Sequence, residues 1–266
     1  MTAEAIVDRL AGIYTTADFP VENIGQTNSQ ESASSSAGSD TAAQHNRDAF
    51  ECLVRTILSQ NTSDTASQPA HDALMDRYAE DEINSDLAGA LAEAAQSTLA
   101  ATISSAGLYN QKSKTIIRIA TRVIDAYGST QAFDEFVKEE PYHDVRETLL
   151  DMNGVGPKTA DCVLLFAGGR TGVFPVDTHV HRIYRRLGIA PPDADHEDVR
   201  QVLERDVPDE KCGFGHTASI QFGRDYCTAR SPACTGDTDC PLEDRCEQVG
   251  IRETEIVDPA DTLESF

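Results

Sequence analysis

The chain has 266 residues, with 45 Asp and Glu against 22 Lys and Arg, a formal charge of −23. That balance excludes a generic basic nucleic-acid binder, while the length and the steady recurrence of apolar residues exclude a disordered acidic tail and leave room for one or two buried cores. No apolar run reaches the roughly 18 to 20 residues of a membrane span, and the N-terminus MTAEAIVDRL lacks a basic-then-apolar signal, so a cytoplasmic protein with no membrane partner is expected. Lysine is scarce, five residues beside seventeen arginines. A carboxylate-rich, lysine-poor surface suits a cytoplasm at very high salt, where the Debye length shrinks to about 3 Å at 1 M, and points to a halophilic host, with an acidic mesophilic protein as the alternative.

Residues 3–14 are predicted as a short amphipathic helix on Ala5, Ile6, Leu10 and Ile13. From Gln26 to His45 a Ser/Ala/Thr/Gln tract is too poor in apolar side chains to bury anything and is expected to be a flexible insertion. Order resumes at Asp48, where Phe50, Leu53, Val54, Ile57 and Leu58 fall at i, i+3, i+4, i+7 and i+8. Further helices are expected over about 65–79, 86–94, 96–104, 112–126, 130–138, 143–151, 158–167, 178–187, 196–205 and 215–225. Gly107, Gly128, Gly154, Gly156, Gly188 and Gly213 mark the connections. Nothing alternates with period two for long enough to argue a sheet, so the fold class is all-α. Cys52, Cys162 and Cys212 stand alone and are expected to be structural.

Charge is uneven. Lys112, Lys114, Arg118 and Arg122 form one net-positive island, Lys158, Arg170, Arg182, Arg185 and Arg186 a second, and Arg224 with Arg230 a third. In so acidic a chain these islands suggest a polyanion-binding face, with solvated helix faces as the alternative, since Lys114, Arg118 and Arg122 are spaced i, i+4, i+8.

The segment LLDMNGVGPKTADCVLLF at 149–166 is the most informative. An apolar helix ends near Asp151, a Gly-Val-Gly turn follows, and Pro157 opens the next helix at the first-turn position proline favours. This is a helix-hairpin-helix, whose glycines allow close backbone approach and whose new helix start offers N–H groups to a phosphate oxygen. The phosphate-binding loop GxxxxGK[ST] does not fit, because Pro157 precedes Lys158 and position 152 is methionine. Lys158 sits in the first helical turn, where the macrodipole disfavours a cation by roughly 0.3 to 1 kcal/mol. That field, with partial burial, would lower its pKa toward the neutral amine of a Schiff-base nucleophile, although a lysine that only contacts phosphate is the alternative.

In VFPVDTHVHRIYRRLG at 173–188, Asp177 stands directly before a helix as its N-cap, and a carboxylate there can also stabilise positive charge on a sugar or exchange protons near the amine. His179 and His181 are i, i+2 and do not share a helix face, against a two-histidine metal site. Cys227, Cys234, Cys240 and Cys246 are packed into twenty residues, a pattern of metal or cluster ligands, iron–sulfur or zinc, more than of disulfides.

Together, GVGPKTA at 154–160, VDTHVHR at 176–182, GLYNQK at 107–112, ILSQNTSD at 57–64 and HTASIQFGRDYC at 216–227 resemble the endonuclease III family of helix-hairpin-helix DNA glycosylases, in the family's order. The resemblance implies a bifunctional base-excision-repair enzyme, a monomer acting on double-stranded DNA with a damaged or abasic nucleotide, at the nucleoid. It would remove oxidised pyrimidines through Lys158 and then cut 3′ to the abasic site by β-elimination, with Asp177 as the catalytic carboxylate. It further implies a [4Fe–4S] cluster on the four cysteines that shapes a loop including Arg230, and Gln60 or Asn61 with Leu108 inserted into the vacated duplex. Gly154, Gly156 and Arg224 would also contact DNA. The cysteine spacing here is x6, x5, x5 where the family usually has x6, x2, x5, and Asn153 replaces a usual proline. An A·G-specific relative carries glutamate where Thr56 stands and lacks a lysine at 158, and T·G-specific relatives also replace that lysine, commonly with tyrosine, so Lys158 favours the lyase branch. Mismatch specificity, or a non-catalytic DNA-binding iron–sulfur protein, are the alternatives.

The implied fold has two lobes: an N-terminal helix region at 1–25, a Ser-rich insertion at 26–46, a helical barrel over 65–170, and a second helical lobe from 47–64 and 171–226. An iron–sulfur loop at 227–246 and an acidic tail at 247–266 complete it, with DNA expected across the groove between the lobes.

Overall fold

A computed structural model of the protein describes residues 2–16, 48–79, 86–236 and 239–251. The Ser-rich tract and the acidic tail beyond Ile251 lie outside them. Among the described residues there are twelve α-helices and no strand: α1 Ala3–Ala11, α2 Ala49–Ser59, α3 Asp64–Tyr78, α4 Leu87–Ala92, α5 Gln96–Thr102, α6 Tyr109–Tyr127, α7 Thr130–Glu139, α8 Tyr142–Leu150, α9 Pro157–Phe166, α10 Thr178–Arg186, α11 His196–Asp206 and α12 Asp209–Asp225. The all-α expectation holds, and no described helix is long and apolar enough to cross a membrane.

The described residues form two compact units, those within 24–170 and those within 1–23 and 171–266. Residues 48–64 therefore belong with 65–170, not with 171–226 as the implied two-lobed fold has them. The reason is the apolar face of α2: Phe50, Leu53, Ile57 and Leu58 are fully buried, and α2 packs on α9, α3 and α7. The Phe50 ring meets Phe133 of α7 edge-on with centroids 6.5 Å apart, and the Cys52 thiol faces the carbonyl of Cys162 in α9. An Asp48 cap starts α2 by accepting the amides of Phe50 and Glu51 at 2.8 and 3.0 Å. In the same unit, α6 packs on α4 and α5 through Ile116, Ile119, Ala120 and Val123.

In the other unit, α12 packs against α1 and α10. It begins at Asp209, six residues before the predicted start, so Gly213 lies inside a helix rather than in a connection. Two other glycines of α12 show why small residues are tolerated there. A Cβ on Gly215 would come within 2.9 Å of the Phe174 ring and 3.0 Å of Val7, and one on Gly223 within 2.6 Å of the His179 ring. Close packing of α12 outweighs the roughly 1 kcal/mol that a helical glycine costs.

Candidate functional site

The hairpin between α8 and α9 is built by its backbone. Gly154 has φ 104°, and a Cβ there would lie 2.5 Å from the Thr115 methyl of α6, so this position excludes any side chain. Met152 and Val155 are buried anchors on either side. Gly156 caps α9, is exposed, and has nothing within 4 Å of where a Cβ would stand. Pro157 occupies the first helical position as predicted, Lys158 is half-buried in the first turn, and Thr159 is buried. The first-turn amides of α9 have no intrahelical acceptor and carry the positive end of the helix dipole.

A second structure in this unit flanks the hairpin. Gln60 turns inward, its Nε2 donating to the Gly154 carbonyl at 3.3 Å and to Thr159 Oγ1 at 3.1 Å. Asn61 is instead exposed, with φ 51°. Leu108, also expected at the vacated duplex, is 57 % exposed with φ 48°, and Tyr109 beside it is exposed too. Lys112 is buried at 4 % exposure, its ammonium donating to Leu58 O at 2.7 Å, Thr62 Oγ1 at 2.6 Å and Ala106 O at 2.6 Å. Burial lowers its pKa to about 8. This overturns its place in a polyanion-binding island. The signal was present in the sequence, because Lys112 lies at i, i−4, i−7, i−8 and i−11 from the buried residues of the α6 stripe.

Several arginines of the islands bond the protein's own carbonyls and carboxylates, Arg118 from an exposed position. Arg118 donates to Asn153 O at 2.7 Å, and Arg122 pairs with Asp151 at 2.6 Å, so α6 braces the hairpin. Arg170 binds the carbonyls of Val137, Lys138 and Glu140. Arg182 binds the carbonyls of Gly223 and Cys227, and Arg186 those of Thr228 and Ala229. Guanidinium forks satisfy carbonyls at helix ends and in loops that would otherwise lack donors. Arg224 and Arg230 remain at the surface.

Asp177 lies in the other unit from Lys158. It caps α10, one oxygen, Oδ1, accepting the amides of His179 at 2.8 Å and Val180 at 2.9 Å, which leaves Oδ2 outside the cap. Its position is set from upstream: the His216 ring bonds the Pro175 carbonyl at 2.8 Å, and the Phe174 amide bonds Glu204 at 3.1 Å. The two histidines separate as predicted, His179 toward Arg182 and His181 stacked on His196 at 4.1 Å.

Cys227, Cys234, Cys240 and Cys246 line one pocket with Arg186, and none is in a disulfide. Among the described residues no three of them gather about a point as the ligands of one metal ion do. Cys227 Sγ accepts from Arg186 at 3.3 Å and Cys246 Sγ from the Gln248 amide at 3.3 Å. Burial, and then the neighbouring cysteines, push the thiols of Cys234, Cys240 and Cys246 up, the last to about 11.

Residues 54–209 match the family model described as HhH-GPD superfamily base excision DNA repair protein. The chain is similar to endonuclease III of Thermotoga maritima, 31 % identical over 200 residues that span 75 % of this chain and 83 % of the relative. It is 34 % identical to endonuclease III of Bacillus subtilis over 199 residues, 75 % of this chain and 81 % of that protein. A solved structure of a non-covalent endonuclease III–DNA complex matches with TM-score 0.69 and 26 % identity, over 96 % of this chain and 99 % of that one.

Proposed function

Because the chain belongs to the endonuclease III family of the HhH-GPD superfamily, and is thus a DNA glycosylase/AP lyase of base excision repair, we propose that it acts on oxidised pyrimidines in duplex DNA with Lys158 as nucleophile. The observation that carries this reading is a half-buried lysine in the first turn of α9, one residue after a proline and directly behind the exposed backbone of Gly156. A phosphate held by that backbone and the first-turn amides would bring the deoxyribose to the amine.

In the proposed reaction the neutral Lys158 amine attacks C1′, and the bond from C1′ to the base breaks with its electron pair leaving on the base. Loss of the amine proton and opening of the sugar ring give an imine. Removal of a C2′ proton then expels the 3′ phosphate from C3′. Asp177 is assigned the carboxylate that stabilises positive charge on the sugar and returns protons, a role suited to an oxygen left outside a helix cap. Thr56, where an A·G-specific relative has glutamate, is buried with its hydroxyl turned onto the Cys52 carbonyl at 2.8 Å, so no carboxylate stands there.

Gly154, Gly156, Arg224 and Arg230 are proposed to meet the DNA backbone. Asn61 and Leu108 are proposed to enter the space left by the extruded nucleotide, with Gln60 supporting them through the hairpin. The four cysteines are proposed to hold a [4Fe–4S] cluster. Thiols spread around a pocket, with hydrogen-bond donors on two sulfurs, suit a cube better than zinc, which draws its ligands to about 2.3 Å from one point. When bound, the cluster would serve as a structural cross-link that shapes the loop bearing Arg230. A DNA repair enzyme of this kind would work at the nucleoid.

Borohydride trapping tests the reading. An abasic duplex is expected to leave a covalent protein–DNA adduct with the native chain and none with Lys158→Ala. A native chain that gives no adduct would favour a non-catalytic DNA-binding protein. Thymine glycol, A·G and T·G duplexes offered in parallel assign the base.

A further inference from the structure

We propose that Lys112 is a positioning residue that locks Asn61 and Leu108 in the backbone conformation with which they enter an opened duplex. The proposal rests on the reading above of Asn61 and Leu108 as the residues that fill the vacated space. Three non-glycine residues with positive φ occur among the described residues, and two of them are Asn61 and Leu108. Leucine at φ 48° is strained, and at 57 % exposure it gains nothing from burial, so surrounding structure must enforce the conformation.

Lys112 supplies that enforcement. Its three acceptors reach both turns: Leu58 O and Thr62 Oγ1 lie on either side of Asn61, and Ala106 O lies two residues before Leu108, whose own carbonyl accepts the Lys112 amide at 2.9 Å. An ammonium has three protons, and each has an oxygen here. Thr62 closes the link, its hydroxyl reaching the Ala106 carbonyl at 2.5 Å and the Gln60 carbonyl at 3.2 Å. From Gln60 the network continues to Gly154 and Thr159. One buried cation thus ties the turn after α2, the turn before α6 and the hairpin into one rigid block. Local energetics alone would not place it there, since a lysine at a helix start, buried among neutral oxygens, is disfavoured both by the dipole and by desolvation.

The test compares excision of thymine glycol from a paired duplex with excision from an unpaired bubble of the same sequence, where little stacking has to be broken. Lys112→Met keeps the stem and removes the charge. It is expected to slow the duplex reaction about tenfold more than the bubble reaction, as Leu108→Ala also should. In Lys112→Met/Leu108→Ala the loss is expected to stay within about twofold of the larger single loss, because both act on one step. Thr62→Val, which removes one acceptor and the link to Ala106, should show the same selectivity in smaller degree and stands in if Lys112→Met does not fold. Equal losses on both substrates, or losses that multiply in the double variant, would overturn the assignment. Failure of Leu108→Ala to discriminate the substrates would overturn it too. If the native chain neither excises the base nor is trapped by borohydride, the glycosylase reading fails instead.

Discussion

The hairpin at 151–160 and the cysteine loop at 227–251 are held by different means. Gly154 permits the positive φ of the hairpin turn and Pro157 fixes the backbone after it, Met152 and Val155 anchor it, and Arg118 and Arg122 bond its carbonyls. Among its described residues the loop has two three-residue 3₁₀ turns, Ala233–Thr235 and Glu243–Arg245, and few buried apolar residues beyond Pro232, Leu242 and Ile251. Arg182 and Arg186 tether it to α10 through carbonyls and one sulfur. A turn written into glycine and proline stands without a ligand, whereas a loop built from polar tethers and four thiols would depend on the cluster proposed for those thiols.

The largest effect should come from removing that group. In Cys240→Ala, or after oxidation and chelation of iron, amide protection across 227–251 is expected to fall by on the order of a hundredfold, while 149–160 keeps its protection. Loss of protection in both segments would break the contrast between them. A brown colour that disappears with the variant would tie the effect to iron.

The hairpin itself should yield to a single methyl group. Gly154→Ala is expected to cost about 2 to 4 kcal/mol in denaturant unfolding, from the contact with Thr115 and the unfavourable φ together. Adding Thr115→Ala should restore only the share due to the contact, which separates sterics from backbone strain.

The smallest effect concerns the start of α2, which carries Gln60 to the hairpin. Burial, aided by nearby Asp134, raises the Asp48 carboxyl to about 6 from its ordinary 3.8. Between those values the folded chain binds a proton the unfolded chain has lost, so this group's contribution to stability falls as pH rises through that window. Asp48→Asn keeps a good cap and removes the charge. It should raise the thermal midpoint at pH 7 by a few degrees, about 1 kcal/mol, and leave it nearly unchanged near pH 4.

How much was legible in the sequence varies with the kind of interaction. Helix positions were readable because the 3.6-residue period of Phe50, Leu53 and Ile57, or of Ile116, Ile119 and Val123, is a local property. The hairpin was readable for the same reason: Gly154, Gly156 and Pro157 act on the backbone wherever they occur. The first two basic islands were legible only in part, because a cluster of cations along a sequence does not state whether its partners are phosphates or the protein's own carbonyls. Lys112, Arg118, Arg170, Arg182 and Arg186 all found the latter, at separations of up to 54 residues. Gln60 and Asn61 could not be told apart for a like reason, since a one-residue register depends on where the turn after α2 meets Gly154.

Sequence alone determined the all-helical class, the hairpin, the lysine behind it and the four-cysteine loop, each set by short-range geometry or by residue chemistry. The tertiary structure decided that α2 belongs with 65–170, that Gly213 lies within a helix, and that a buried lysine joins the two turns that carry exposed left-handed residues. Those outcomes depend on which carbonyls and apolar faces meet across long stretches of chain, and no local pattern carries that information.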